Sequence, residues 1–474
     1  MLFRDLQRMV CVLAIACALF GLAYGQNNTN MNTPITKTIT TRINRGGVQA
    51  AGVVIGLDGV LRGEVVCVNN PGLVKKWKAE VKSRLPGDLA KGSELRKVSL
   101  NRLEAAVAAS IEKGQPLPDE VKYLAGLTRL QYVFFYPDSK DIVIAGPAEP
   151  YALDASGRCI GVDSGRAVLE LQDLVVALRA YKAGGDPTNQ IGCSIDPTPE
   201  GLSNMQQYLV SIAGRVSPND AGTIVENLKE RLGLQKVTVQ GISPDTHFAQ
   251  VLVEADYRMK LIGIGIETPP VKIASYVSKA SPASVSRNAL QRWFFEPNYD
   301  CVSMSDDGLS MELVGEGVKL IGEGEQVQAD GTRANAGNSG SRASELFCQG
   351  FTSNYPALAK KVPVYGQLRN LMDMAIAAAH IQEQDFASKA EWSMDVFGDE
   401  EKFPVEVYET PKTVETACTA VFKGSTLMTP VGGGVVMFPT KALEKHNVKV
   451  DAKISETRSS VTLEKLEKSQ WWWD

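Results

Sequence analysis

The amino-acid sequence predicts an α+β fold with two or three subdomains. Hairpin patterns lie at both flanks of the chain, beginning with two β-rich runs around Asp58-Gly59. Helical and strand patterns alternate in the middle of the chain. Hairpins outside and alternation inside favour an α+β fold over a doubly wound sheet. A length of 474 residues also exceeds one typical hydrophobic core.

The individual elements follow in chain order. Helical spacing predicts a helix at 99–113, and two β-rich runs around Pro137-Asp138 predict a second hairpin. The middle of the chain predicts a helix capped by Asp163-Ser164 with an apolar stripe at Val168, Leu171, Val175 and Leu178, a strand at 191–195, a helix opened by Thr198-Pro199, a helix from Asn219-Asp220 to Leu232, and a strand at 236–240. A helix pair follows residue 343, and residues 421–438 are β-rich.

One sequence pattern occurs twice. Leu130–Pro137 and Leu290–Pro297 both read Leu-Gln-x-x-Phe-Phe-x-Pro, and an acidic residue follows each before the next strand pattern. An internal duplication and a chance match of two strand-turn units both account for the repetition.

The first 25 residues predict a secretory signal peptide. Arg4 and Arg8 form a basic start, residues 9–24 are apolar with small residues near their end, and cleavage is expected after Gly25. An alternative is lipidation of Cys17, which lies in a loose lipoprotein-box pattern. No later run is long and uncharged enough to span a bilayer, so we expect no transmembrane helix after cleavage and a location in the periplasm or at the cell surface.

The predicted organisation has six parts. They are a signal peptide (1–25), a polar linker (26–45), an N-terminal α+β subdomain (46–158), a middle with alternating helices and strands (159–289), a C-terminal α+β subdomain (290–440), and a charged tail (441–474) that ends in Trp-Trp-Trp-Asp.

Charge and cysteine spacing exclude two classes of site. The net charge is −4 and basic residues do not cluster, so nucleic-acid binding is not expected. Six cysteines follow the signal peptide, and their wide spacing argues against a zinc site. In an exported protein they can form up to three disulfides, and six separately buried thiols are the alternative. These cysteines are Cys67, Cys159, Cys193, Cys301, Cys348 and Cys418.

Three histidines are present, and His247 has the most chemically interesting surroundings. His380 and His446 are interpreted as structural or exposed, and no pair has the i, i+4 spacing of a metal site, so neither a metal nor a cofactor is predicted. A cap signal before His247 favours a helix over a strand. Glu254 and Asp256 follow nearby, and acid–base chemistry needs such groups at close range. The alternative is an amphipathic element with a salt-bridged outer face.

The chain ends in Trp471, Trp472 and Trp473, followed by Asp474. Three adjacent tryptophans would expose a large aromatic surface if the tail were free in water. One interpretation is a docking tag for an envelope partner or an anchor at a bilayer interface. The other is a tail that folds back onto its own domain.

Several stretches together resemble a family of exported planctomycete proteins of unknown function. They are Gly161–Val175, Ile191–Gly201, Asp245–Ala249, Val253–Lys260 and Thr429–Gly434. The resemblance covers most of residues 46–440. It implies export and a bacterial envelope setting, and it supplies no reaction, cofactor or catalytic residue.

Two functional hypotheses follow. The leading hypothesis is a non-enzymatic structural or interaction protein of the bacterial cell envelope, because the sequence carries no nucleophile or metal signature. The alternative is an exported hydrolase with a histidine/carboxylate site around His247. A pocket that holds His247 would favour the enzyme, and a histidine packed away from any cleft would remove it.

Overall fold

Two large mixed β-sheets and a group of buried helices form the described part of the chain, which confirms the predicted α+β class. The computed structural model describes residues 48–55, 60–68, 71–154, 156–280, 289–328, 330, 333–335, 341–420, 422–423, 426–427, 431–459, 466–467 and 469–474. The predicted signal peptide and polar linker lie outside these residues.

The elements of the first half of the chain follow in order. They are β1 (Val48–Ile55), β2 (Val60–Val68), α1 (Pro71–Arg84), β3 (Ser93–Ser99), α2 (Leu100–Glu112), α3 (Asp119–Lys122), a 3-10 turn (Leu124–Gly126), β4 (Tyr132–Tyr136), β5 (Asp141–Ala148), β6 (Tyr151–Leu153), β7 (Cys159–Gly161), α4 (Leu171–Ala180), β8 (Ile191–Asp196), α5 (Pro199–Ile212), a 3-10 turn (Pro218–Asp220), α6 (Ala221–Leu232) and β9 (Gln235–Gln240).

The second half continues the series. It contains α7 (His247–Gly263), α8 (Tyr276–Lys279), β10 (Ala289–Pro297), β11 (Val302–Met304), β12 (Ser310–Leu313), β13 (Val318–Val327), β14 (Arg333–Asn335), α9 (Arg342–Ala359), α10 (Pro363–Glu383), α11 (Phe386–Lys389), β15 (Thr413–Val414), β16 (Phe422–Lys423), β17 (Thr426–Leu427), β18 (Val431–Met437), a 3-10 turn (Pro439–Leu443), β19 (Val448–Val450), α12 (Lys453–Ser459) and β20 (Trp472–Trp473).

Both large sheets draw strands from distant parts of the chain. Within the described residues one sheet has the order β1-β2-β15-β9-β8-β18-β10-β13-β14, and the other has the order β19-β11-β12-β4-β5-β3-β20. Each sheet takes strands from both sides of the predicted boundaries at residues 158 and 289, and residues 47–474 form one unit. The predicted boundaries therefore do not separate the sheets.

Most of the predicted elements are present. The hairpins β1–β2 and β4–β5 are antiparallel, as their turn signals predict. Thr198 caps α5 by accepting a hydrogen bond from the Gly201 amide. The helix predicted at Asp163 is wrong at its start, because α4 begins at Leu171. The Asp163-Ser164 amides donate to Glu149 instead, and Gly165 has a φ of +75°, which interrupts a helix.

The two copies of the repeated pattern have different surroundings. β4 pairs with β5, the next strand in the chain, in the smaller of the two large sheets. β10 instead pairs with β13 and β18 in the larger sheet, and the strand that follows it, β11, belongs to the other sheet. The pairing gives no support to a duplication.

The helix α10 forms the centre of the core and positions the site. It is buried along nearly its whole length and packs against α4, α7 and α9. α7 packs on β8 and β18 as well as on α10 and α4, and 16 of its 17 residues are buried. A helix that is buried on all sides places its polar groups inside the protein, where they need partners. Within the described residues, no helix combines the length and apolar character that crossing a bilayer requires.

Candidate active site

A pocket of about 420 Å³ lies beside the N-terminal end of α7. Ligand pockets in proteins are commonly this large. Its polar lining includes six side chains from four separate parts of the chain, namely Arg158, Glu170, Gln172, His247, Glu254 and Tyr408.

His247 lies at the pocket because α7 begins there. Thr246 has an extended backbone, and its hydroxyl accepts a hydrogen bond of 3.2 Å from the Ala249 amide. This N-cap confirms the favoured interpretation of the segment as a helix. His247 is the first helical residue and is 9% exposed, so its ring is nearly covered but still reaches the pocket wall.

The start of α4 brings two carboxyl groups to the two nitrogens of the His247 ring. Asp173 Oδ2 lies 2.8 Å from Nδ1, and Glu170 Oε1 lies 3.8 Å from Nε2. Gln172 donates from Nε2 to Glu170 Oε2 at 2.7 Å. Glu170 and Asp173 occupy the cap and first turn of α4, where the helix dipole favours negative charge. The arrangement orients the ring through Asp173 and leaves Nε2 on the side of Glu170.

Burial and neighbouring charges have opposite effects on these groups. Burial lowers the pKa of His247, but the charges of Asp173 and Glu170 outweigh it and raise that pKa to about 9 while both carboxylates are ionised. Burial raises the pKa of the Glu170 carboxyl, and the charge of His247 partly opposes this. The protonation of Glu170 and that of His247 are therefore linked, because the charge of each group changes the pKa of the other.

Glu254 also reaches the pocket, but two arginines occupy its carboxylate. Arg158 Nη2 forms an ion pair with Glu254 Oε2, and Arg258 Nη1 lies 3.6 Å from Oε1. Arg258 pairs in turn with Glu267 at 2.7 Å. Since two cations hold its carboxylate, Glu254 is suited to anchoring Arg158 and poorly suited to act as a base.

Asp256 lies away from the pocket. With 3.6 residues per turn, a residue nine positions after His247 faces the opposite side of the helix. There Asp256 accepts a hydrogen bond from Lys260 Nζ at 2.8 Å, and Lys260 also donates to the carbonyl groups of Ile195 and Gly433. Burial raises the pKa of Asp256 to about 6, and Lys260 partly offsets this. The structure thus joins His247 and Glu254 but places Asp256 against β8 and β18.

Glu170, Asp173 and His247 are also the group that could hold a metal ion. Each offers one ligand atom, and these atoms lie within 4.8 Å of one another. The hydrogen bond from His247 Nδ1 to Asp173 occupies one ring nitrogen, however, and one ion cannot reach both nitrogens of the same ring. While this hydrogen bond is kept, only Nε2 and Glu170 remain as direct ligands, and a third ligand would require an ion in place of the proton between Nδ1 and Asp173. The geometry fits a hydrogen-bonded acid–base site better than a metal site.

The C-terminal tryptophans lie against their own domain. Trp471 and Trp473 are 8% and 7% exposed, and Trp472 is half-buried. β20 pairs antiparallel with β3. Asp474 completes the contact, since its two carboxylate oxygens accept hydrogen bonds of 2.8 and 2.9 Å from the buried Arg96. The tail therefore adopts the folded-back arrangement.

The cysteines whose side chains are described do not form disulfides with one another. Five of the six are buried free thiols, and the side chain of Cys67 lies outside the description. They are Cys159, Cys193, Cys301, Cys348 and Cys418. Of the two alternatives from the sequence, separately buried thiols describe these five.

Sequence reasoning missed Glu170, Asp173 and Gln367, all of which contact His247. The spacing of Glu170 and Asp173 at the start of a helix is visible in the sequence. Their separation from His247 by more than 70 positions is not a pattern that a single sequence reveals. The contacts depend on the packing of α4 and α10 against α7, which the sequence does not reveal.

Comparison with known proteins finds one family. The model of the family described as "Protein of unknown function (DUF1598)" matches residues 193–276, a stretch that includes His247, Glu254 and Asp256. No curated protein and no solved structure matches the chain. The match supports the resemblance to a family of unknown function over these residues alone, and it carries neither export nor an activity to this chain.

Proposed function

We propose that this protein is an exported enzyme that hydrolyses a small polar substrate by acid–base catalysis. In this proposal His247 is the catalytic base, Asp173 orients it, and Glu170 is the proton donor. The observation that carries the proposal is the position of His247, whose Nδ1 lies 2.8 Å from Asp173 Oδ2 while the ring lines a pocket of about 420 Å³. An oriented histidine beside a cavity is a common arrangement for proton transfer.

The pocket wall supports a polar but largely uncharged substrate. The lining contains three basic side chains, Lys122, Arg158 and His247, and three acidic ones, Glu170, Glu254 and Glu406, so neither sign of charge dominates. Tyr408 and Gln172 add hydrogen-bonding groups, and Phe403–Val405 form an apolar wall. Pockets of this mixed type bind through apolar contact and orient the ligand with a few polar groups.

A non-enzymatic role in the cell envelope is the competing proposal. It rests on the lack of a nucleophile or metal signature in the sequence, and docking through the C-terminal tryptophans is one form that such a role could take. Trp471 and Trp473 are buried against the same chain, so their side chains are not free to dock elsewhere unless the tail is released. The pocket at His247 therefore supports an enzyme more strongly than the tail supports docking.

A substrate screen tests the enzyme proposal. The full chain is assayed with chromogenic esters, amides, glycosides and phosphoesters, and we expect turnover in one class. His247→Ala should lower kcat/KM by about 10²–10⁴-fold, the usual contribution of a catalytic acid or base. The exposed His446→Ala is the matched control and should leave the rate unchanged.

Three results would contradict the proposal. One is a lack of turnover in every class, and another is a His247→Ala variant with an undiminished rate. The third is activity that a chelator removes and an added divalent cation restores, which would make His247 and Glu170 metal ligands instead.

Export is tested separately by mass spectrometry of the mature chain. A chain that begins at Gln26 supports export, and a chain that retains Met1 opposes it.

A further inference from the structure

Gln367 is a third neighbour of the His247 ring, and it comes from the central helix α10. Its Nε2 lies 3.3 Å from His247 Nε2, and its Oε1 accepts a hydrogen bond of 3.0 Å from Arg158 Nε. Gln367 is 3% exposed, so water does not compete for these contacts. The side chain lies between Arg158 and the ring nitrogen that the proposed mechanism uses.

Arg158 determines which end of the Gln367 amide faces the ring. A guanidinium group donates hydrogen bonds and cannot accept them. The amide oxygen must therefore face Arg158 Nε, and the NH₂ group must face His247 Nε2. Arg158 is itself held by its ion pair with Glu254, and Ser156 Oγ accepts a further hydrogen bond of 3.2 Å from Arg158 Nη1. The orientation of the amide is thus imposed by Arg158 and its partners and not by the histidine.

An NH₂ group at Nε2 is compatible with only one form of the ring. If Nε2 carried a proton, two donors would face each other at 3.3 Å. If Nε2 carries a lone pair, it accepts from Gln367, and the single ring proton lies on Nδ1 and is donated to Asp173 at 2.8 Å. Both hydrogen bonds are satisfied in this neutral tautomer alone.

We propose that Gln367, oriented by Arg158, is a positioning residue that holds His247 as a neutral base with its proton on Nδ1 and its lone pair on Nε2. The proton that the His247–Glu170 pair shares then resides on Glu170. This inference rests on the proposed function for its catalytic meaning, but not for its measurement.

The groups that face His247 from other elements divide into two sets. Those that favour the charged ring are the carboxylates of Asp173 and Glu170 on α4 and, more remotely, of Glu254 on its own helix. Those that favour the neutral ring are the Gln367 NH₂ on α10, the positive charge of Arg158, and the positive end of α7, since His247 is its first residue.

Tyr408 contacts the ring face with centroids 5.1 Å apart and adds no charge near neutral pH. Transfer of a proton from His247 to Glu170 also removes two buried charges, which lowers the desolvation cost. It removes at the same time the Glu170 charge that raises the pKa of His247 while Glu170 is ionised.

The ring nitrogens can be observed directly by ¹⁵N NMR of the full chain labelled at histidine. His247→Asn identifies the His247 signals among those of three histidines. At pH 7 we expect one protonated nitrogen, Nδ1, and one unprotonated nitrogen, Nε2. Gln367→Met keeps the length of the side chain but removes the donor, and it should raise the titration midpoint of His247 by about one pH unit.

Gln367→Glu gives the stronger test, because it replaces the donor with an acceptor that Arg158 can still hold. We expect both nitrogens of His247 to be protonated at pH 7 in this variant. Gln382→Met is the matched control: Gln382 lies on the same helix but donates to the carbonyl groups of Lys182 and Gly185, so it should leave the spectrum unchanged.

A wild-type ring that is doubly protonated at pH 7, or that carries its one proton on Nε2, would overturn the proposal without any variant. So would Gln367 variants whose midpoints equal that of the wild type. Because no substrate enters the measurement, a failed substrate screen together with the expected spectra would reject the enzyme and keep the tautomer.

Discussion

His380 shows how strongly burial controls ionisation at a single residue. It lies near the end of α10 with no exposed surface, and neither ring nitrogen has a hydrogen-bond partner among the described residues. Its ring meets the edge of Phe386, with centroids 5.3 Å apart. Burial lowers the pKa of His380 to about 3. His380 is therefore a neutral residue of the core, which gives physical content to the structural role expected from the sequence.

This burial predicts a component of the acid sensitivity of the fold. The folded pKa of about 3 lies below the unfolded value of 6.5, so the unfolded chain binds the extra proton between these two values. Stability is then lost as the pH falls through 6.5. In His380→Leu, the fall in unfolding free energy between pH 7 and pH 5 should be smaller by about 2 kcal/mol.

Urea unfolding of the wild type and of His380→Leu at pH 7 and pH 5 measures this difference. The contributions of the other ionisable groups cancel because both proteins contain them. His446→Leu replaces an exposed histidine and should keep the wild-type dependence on pH. An unchanged dependence in His380→Leu would show that the ring is solvated or paired in solution.

The candidate site illustrates what single residues allow from sequence. His247 and its helix were predictable from the capping residue, and Glu254 from its place two turns later on the same face. The grouping with Asp256 failed because residues nine positions apart on a helix point in opposite directions. Glu170, Asp173 and Gln367 were not predictable, since their contact with His247 depends on how three helices pack.

At the scale of elements, the close approach of α7 to β10 depends on one glycine. A Cβ atom at Gly263 would lie 2.3 Å from the Trp293 ring. That ring cannot move aside easily, because Tyr276 and Phe347 pack against it and its Nε1 donates to Ser344 Oγ at 2.9 Å. The Trp293 side chain is therefore what requires a glycine at position 263.

Gly263→Ala should therefore destabilise the fold by about 1–3 kcal/mol, the usual cost of overpacking a core. Gly350→Ala is the matched control on α9, where a Cβ would have no neighbour within 4 Å. There the higher helix propensity of alanine should stabilise the fold by up to about 1 kcal/mol. Chemical unfolding compares the two, and shifts in the same direction would mean that α7 relaxes away from Trp293.

Element types were more predictable than their partners. Turn chemistry at Pro137-Asp138 and the cap at Thr198 act locally, so β4–β5 and α5 follow from a few adjacent residues. The pairing of β10 with β13 and β18 instead joins strands far apart in the chain. Two copies of one sequence pattern therefore entered different sheets, which local signals alone could not indicate.

At the scale of the whole molecule, the last strand, β20, forms one edge of the sheet that contains β3. Trp471 packs in the main core, whereas Trp473 packs with Phe134 and Ile454 in a separate cluster. Successive residues of a strand point to opposite faces, so Trp472 and Trp473 in β20 lie on the two faces of one sheet edge. Trp472 packs against the main core, and the guanidinium group of Arg96 lies 4.8 Å from the centre of its ring. The tail thus joins cores that the rest of the chain has built separately.

Removal of residues 471–474 should consequently lower the unfolding free energy by about 5 kcal/mol or more, because truncating a buried tryptophan alone costs about 3–5 kcal/mol. It also leaves Arg96, which has no exposed surface, without the carboxylate of Asp474.

Two single variants separate these effects on the same strand. Trp473→Ala should cost about 3–5 kcal/mol, and the half-buried Trp472→Ala should cost about 1 kcal/mol through its contact with Arg96. Thermal and urea unfolding measure each loss, and an envelope-binding assay on the same truncated chain tests docking. A truncated chain with unchanged stability that no longer associates with envelopes would reverse the assignment, because the tryptophans would then contribute to a partner and not to their own domain.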